Sequence, residues 1–154
     1  MNPKDSPDAI PPNIQSGQAL DVVIARLVGQ VYETAPPVER CRLLEQLMEP
    51  IGVLSLVAIA NGVFAKIWFR SGWPDLHIRP DDTQNVQAND VIALVRYVDQ
   101  ASIETVDGLA QMVAAWPVMA GSAVAALLVT ALVRRVRARR ADAEGGDDPP
   151  GAGP

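Results

Sequence analysis

Residues 123–140 read AVAALLVTALVRRVRARR, in which eleven uncharged residues are followed by five arginines within seven positions. The uncharged run begins earlier, because residues 108–133 contain no ionisable side chain. A helix over 112–133 would be long enough to cross the roughly 30 Å hydrocarbon core of a bilayer. Cytoplasmic ends of spanning helices are enriched in arginine, which anionic headgroups attract. We therefore predict a transmembrane helix over 112–133 whose topology and headgroup contacts are set by Arg134, Arg135, Arg137, Arg139 and Arg140.

A second apolar segment, PIGVLSLVAIANGVFAKIWF, occupies residues 50–69. As a helix over 51–69 it would be about 28 Å long, which also suits a membrane span. Lys66 lies within one turn of the end, where its ammonium group can reach the interface. Two spans place both termini in the cytoplasm, whereas a single span would leave the N-terminal part outside without a secretory signal. The alternative is that residues 51–69 form a buried core helix.

The remaining segments complete a predicted all-α fold, a hairpin of two transmembrane helices with amphipathic N-terminal helices and disordered termini. Proline-rich residues 1–17 are predicted to be disordered, and residues 18–49 to form an amphipathic helical region. Residues 70–108 carry three arginines and seven acidic residues, so they are predicted to form an acidic extracytoplasmic loop. This loop includes an amphipathic helix at about 89–107. Residues 134–154 are predicted to form a cytoplasmic tail, arginine-rich and then disordered.

Three further groups of residues follow from the hairpin. Tryptophans favour the bilayer interface, and the predicted interfacial anchors are Trp68, Trp73 and Trp116. Small residues let helices approach closely in lipid, and the predicted packing residues are Ala58, Gly62, Gly121 and Ala125. A polar side chain inside a span is expensive, which makes Asn61 the candidate intramembrane polar position.

The sequence contains no recognisable catalytic, phosphate-binding or dinucleotide-binding motif, so no enzyme activity, cofactor or small-molecule substrate is predicted. The segment DLHIRPDD places His77 near Asp75, Asp81 and Asp82, but we expect a solvated turn there and no metal site. The single cysteine, Cys41, is predicted to be a small buried hydrophobe. A net charge of −5 argues against binding to nucleic acid.

These features predict a small non-catalytic integral membrane protein, an accessory or adaptor subunit that acts through helix–helix contacts. Its composition suggests a bacterial inner membrane, and its expected partners are membrane lipids, a second copy or another membrane protein. The two-pass arrangement with both ends inside and a basic tail resembles the architecture of one type of phage holin. That resemblance implies an oligomeric pore-former as one alternative. A cytoplasmic helical protein anchored by a single span is the other.

Overall fold

The computed structural model describes residues 12–71, 76–119 and 121–147, and every regular element within these ranges is helical. The predicted all-α class is therefore confirmed. Short 3₁₀ turns lie at Ala60–Gly62 and Pro117–Met119. The α-helices are α1 Pro12–Thr34, α2 Pro37–Met48, α3 Val53–Val57, α4 Val63–Ser71, α5 Pro80–Thr83, α6 Ala88–Ala101, α7 Ile103–Asp107, α8 Leu109–Ala114 and α9 Ala123–Asp147.

Helix α1 is the packing centre, because its most extensive contacts are with α6 and α9. Ile24, Val28 and Val31 recur at helical spacing and are fully buried. Gly29 faces α6, and a Cβ atom there would lie 2.9 Å from Ile92 Cγ1. Because glycine has no side chain, α1 and α6 can pack more closely at position 29 than a larger residue would allow.

The C-terminal end of α1 is held by two side chains. The guanidinium group of Arg40 donates through Nε to the carbonyl oxygen of Tyr32 at 2.8 Å, and through Nη2 to that of Glu33 at 2.6 Å. These bonds satisfy carbonyls that the helix leaves unpaired. The buried Tyr32 hydroxyl lies 2.8 Å from the carbonyl oxygen of Thr83 and 3.0 Å from that of Val86, and its proton is shared between them. Burial raises the pKa of Tyr32 to about 12.

The predicted transmembrane helix over 51–69 is not continuous, so this prediction is corrected. Helix α3 ends at Val57, and Ala60, Asn61 and Gly62 then have φ angles of +50°, +59° and +78°. Successive left-handed residues end a right-handed helix, and glycine and asparagine adopt this conformation most readily. The helix is interrupted here, and several of the apolar side chains that suggested a span enter the core, among them Leu56, Ile59, Phe64 and Ile67.

The predicted transmembrane helix over 112–133 is corrected for a similar reason. Helix α8 ends at Ala114, and Pro117 begins a 3₁₀ turn, because proline lacks the N–H that a continuing helix would need. Helix α9 starts afresh at Ala123, where the Ser122 hydroxyl accepts a hydrogen bond from the backbone N–H of Ala125 at 3.2 Å. Side chains on both sides of the break are buried, including Val113, Trp116, Leu128 and Leu132.

Within the three described ranges, no helix combines the length and the apolar character that a membrane span requires.

The connecting region and the chain ends also differ from the prediction. Residues 80–107, expected within an extracytoplasmic loop, form α5, α6 and α7, and the apolar face of α6 packs on α1. The single helix expected at about 89–107 is divided at Ser102. Residues 12–17 belong to α1 and residues 141–147 to α9, where disorder was predicted, and the arginine-rich residues 134–140 are part of α9 as well. Residues 1–11 and 148–154 lie outside the described ranges.

Position 61 distinguishes the observed turn from a continuous helix. In the turn, Asn61→Leu places a bulky side chain in the left-handed region, so we expect the free energy of unfolding to fall by about 1 kcal/mol. Asn61→Gly is expected to change it by less than about 0.5 kcal/mol. A continuous helix would reverse this order, because leucine is a better helix former than glycine. Urea denaturation followed by circular dichroism measures both variants.

Candidate functional site

Helical geometry divides the five arginines of α9 into two groups. Arg135 and Arg139 are four residues apart and lie on the face that carries the buried Leu128 and Leu132. Arg135 is 4% exposed, which is rare for an arginine. The other three lie on the solvent face, and for them contact with lipid headgroups stays a prediction: Arg134, Arg137 and Arg140.

Five charged side chains, Asp21, Asp99, Asp107, Arg135 and Arg139, form what we call the Arg135 cluster. The Nη1 atom of Arg135 donates to Asp99 Oδ2 at 2.8 Å and to Asp21 Oδ1 at 3.1 Å. Its Nη2 and Nε atoms donate to Asp107 Oδ1 at 2.7 and 3.1 Å. Arg139 donates to the other oxygen of Asp107. One guanidinium group on α9 thus joins α1, α6 and α7.

The electrostatic balance of the Arg135 cluster is acidic, since three carboxylates face two guanidinium groups. Burial raises the pKa of Asp99 above its ordinary value, although the hydrogen bond and charge of Arg135 oppose this. The second oxygen of Asp99, Oδ1, is buried without a hydrogen-bond partner among the described residues. For Arg135, burial lowers the pKa, but its hydrogen bonds with Asp107 and Asp99 outweigh burial, and the net shift is upward. Arg135 therefore stays charged.

Beside the cluster, α1 and α9 enclose an open apolar groove of about 550 Å³. Val23 and Leu127 are 43% and 57% exposed there, although both are large apolar side chains. Leu20 and Arg134 are the chain neighbours of Asp21 and Arg135, so one end of the groove adjoins the Arg135 cluster. The residues that line this α1/α9 groove are Leu20, Val23, Leu27, Leu127, Thr130, Ala131 and Arg134.

The predicted interfacial anchors do not form one belt in the structure. Trp116 is 4% exposed and belongs to the hydrophobic core. Trp68 is half-buried and packs against the same core. Trp73 lies outside the described residues.

The predicted packing residues and Asn61 are also placed differently. Gly121 is exposed, and a Cβ atom there would meet nothing within 4 Å, so it makes no close helix contact. Ala58 is exposed, whereas Ala125 is buried in the core. Gly62 serves the left-handed turn. Asn61 is exposed in that turn and is not a polar group inside a continuous apolar helix.

The segment DLHIRPDD has a structural role in its described part. Asp82 is 7% exposed and forms a two-point ion pair with Arg70, whose Nε atom lies 2.8 Å from Asp82 Oδ1. Asp82 Oδ2 also accepts the backbone N–H of Arg79 at 2.9 Å. His77 and Asp81 are exposed, and Asp75 lies outside the described residues. Among the described residues, no group of three or more histidine, cysteine or acidic side chains could hold a metal ion.

Cys41 is buried, as predicted, and is 7% exposed. Burial raises the pKa of its thiol, and the negative charges of Glu45 and Asp82 raise it further. A raised pKa favours the unreactive thiol over the thiolate.

Sequence reasoning missed the Arg135 cluster and the α1/α9 groove. The spacing of Arg135 and Arg139, four residues apart in phase with Leu128 and Leu132, was a usable signal that these two arginines face inward. The aspartates carried no matching signal, because they come from three separate helices. The breaks at Asn61–Gly62 and at Pro117 were readable, since both are strong turn signals.

The described residues define an all-helical protein with a buried ion-pair cluster beside an open apolar groove. Against protein-family models, curated proteins and solved structures, this chain has no significant match. Its candidate function therefore follows from its own geometry.

We expect Arg135→Met to lower the free energy of unfolding by about 3–5 kcal/mol, because it leaves the buried carboxylate of Asp99 without a counter-charge and that of Asp107 with Arg139 alone. Arg134→Met is the matched control one residue away on the exposed face, and it should change stability by less than about 0.5 kcal/mol. Guanidinium chloride denaturation measures both. Similar values for the two variants would contradict a structural role for the Arg135 cluster.

Asp99→Asn tests the electrostatics of the same cluster through pH. Because the pKa of Asp99 is higher in the folded state than its ordinary value of 3.8, proton uptake stabilises the fold at low pH. That contribution is fully present below pH 3.8 and is lost as the pH rises through the folded-state pKa. We therefore expect D99N to gain stability relative to wild type between pH 4 and pH 7. The free energy of unfolding of D99N, minus that of wild type, should be more positive at pH 7 than at pH 4. A pH-independent difference would contradict the shift.

Proposed function

We propose that this protein is a non-catalytic helical adaptor that binds a partner helix in the α1/α9 groove. The observation that carries the proposal is the exposure of Val23 and Leu127 at 43% and 57% on an otherwise apolar concave surface. Concave apolar sites between helices are common binding sites, and exposed apolar side chains there gain free energy when a partner covers them.

The shape of the groove suits a helix. Leu20, Val23 and Leu27 present one apolar ridge at helical spacing, and the second ridge comes from α9. An amphipathic helix laid between two ridges can insert residues spaced i, i+3, i+4 and i+7. Covering this surface would bury side chains that the fold itself leaves open.

The proposal keeps the adaptor role of the sequence analysis and omits its membrane spans. The groove does not depend on the two-span or holin-like arrangement, and many apolar side chains of both segments pack in the core, among them Leu56, Phe64 and Leu132. Surface attachment through Arg134, Arg137 and Arg140 remains compatible with the groove, because these arginines are exposed.

A displayed library of helical peptides tests this function directly. Leucine is fixed at i, i+3, i+4 and i+7, and all other positions are randomised. We expect selection on the full chain to recover helices whose binding is weakened at least tenfold by Leu127→Ser, which removes the most exposed large apolar side chain of the groove. Fluorescence anisotropy of labelled peptides gives the dissociation constants.

The control variant is Leu54→Ser, since Leu54 is 84% exposed but does not line the groove. It should leave peptide binding unchanged. Recovery of no helix, or of helices that lose affinity equally in both variants, would refute the adaptor function at this groove.

A further inference from the structure

Three exposed arginines near the α1/α9 groove form no ion pair among the described residues, whereas the exposed Asp21 beside Leu20 is paired with Arg135. Arg134 lines the groove, and Arg137 follows it one turn later on the same exposed face of α9. Arg26, beside the groove residue Leu27 on α1, is exposed as well. None of the ion pairs among the described residues involves these three arginines, whereas Arg135 and Arg139 on the buried face are both paired with aspartates.

This local surface opposes the charge of the whole chain, which is −5. An acidic protein that keeps three exposed arginines beside an apolar groove presents unpaired basic charge next to an apolar floor. Like charges repel and opposite charges steer association, so such a surface selects partners with negative charge beside their apolar stripe.

We infer that the natural occupant of the α1/α9 groove is an acidic amphipathic helix of another protein, with Asp or Glu residues flanking its apolar stripe. This inference rests on the proposed adaptor function and specifies its partner. The apolar stripe contacts Val23, Leu27 and Leu127, and the flanking carboxylates pair with Arg134, Arg137 and Arg26. Charges at the rim contribute mainly to selectivity and to the rate of association, while the apolar floor supplies most of the affinity.

The same displayed library tests whether the partner helix is acidic separately from whether the groove binds a helix at all. We expect Asp and Glu to be enriched, and Lys and Arg to be depleted, at the positions flanking the fixed leucines. Arg134→Glu and Arg137→Glu should each weaken binding of a selected acidic peptide by about three- to tenfold, and 0.5 M salt should reduce this difference.

A charge exchange supplies the decisive control. The selected peptide with its flanking acids changed to lysine should bind the wild-type chain poorly and the Arg134→Glu, Arg137→Glu double variant better. If helices bind the groove without acidic enrichment or rescue, the partner inference fails while the adaptor function stands. If Leu127→Ser weakens the binding of none of the recovered helices, both the partner inference and the adaptor function fail.

Other occupants of the groove are distinguished by photo-crosslinking. A benzophenone amino acid in place of Val23 should crosslink to the acidic peptide when it is present, and mass spectrometry identifies the product. Crosslinks in its presence to a second copy, or to residues 1–11 of the same chain, would overturn the inference. Binding to phosphatidylglycerol vesicles that blocks the peptide crosslink and is lost with Leu127→Ser would also overturn it in favour of a membrane surface.

Discussion

A guanidinium group buried among carboxylates is the interaction on which the arrangement of four helices depends. Removing ions from water costs several kcal/mol each, and this cost is offset only when the hydrogen-bond geometry is good. Arg135 meets this condition through Asp99 and Asp107, both within 3.1 Å, while the more exposed Asp21 adds a weaker third contact. Because these aspartates lie on α1, α6 and α7, α9 can bury Arg135 only where all three helices are in place.

The same requirement sets the register of α9. Its buried apolar residues are alanines and leucines of simple shape, including Ala125, Leu128 and Leu132, and such residues could pack acceptably after a shift of one turn. A shift would move the charge of Arg135 by about 5.4 Å along the helix, away from its carboxylates. Apolar packing thus favours association of α9, and the ion pairs select one position among the packed alternatives.

The helices were predictable because the periodicity of apolar residues is a local property of the sequence. The buried faces of α1 and α6 show this periodicity. The continuous helices predicted over 51–69 and 112–133 were wrong, because mean hydropathy does not register the local breaks at Asn61–Gly62 and Pro117. The candidate site was less accessible, since Asp21 and Arg135 are 114 residues apart and only the tertiary fold brings them together.

The buried and exposed arginines of α9 are physically linked. Adjacent helical residues point about 100° apart, so burying Arg135 fixes the direction in which Arg134 leaves the same helix. Arg134 then lies at the end of the groove next to the Arg135 cluster, while Leu127 is held two turns away. The pairing of Arg135 with three aspartates therefore fixes the direction of the solvent face of α9 as well as that of its buried face. The buried cluster thereby determines where Arg134 and Leu127 lie in the groove that we propose as the binding site.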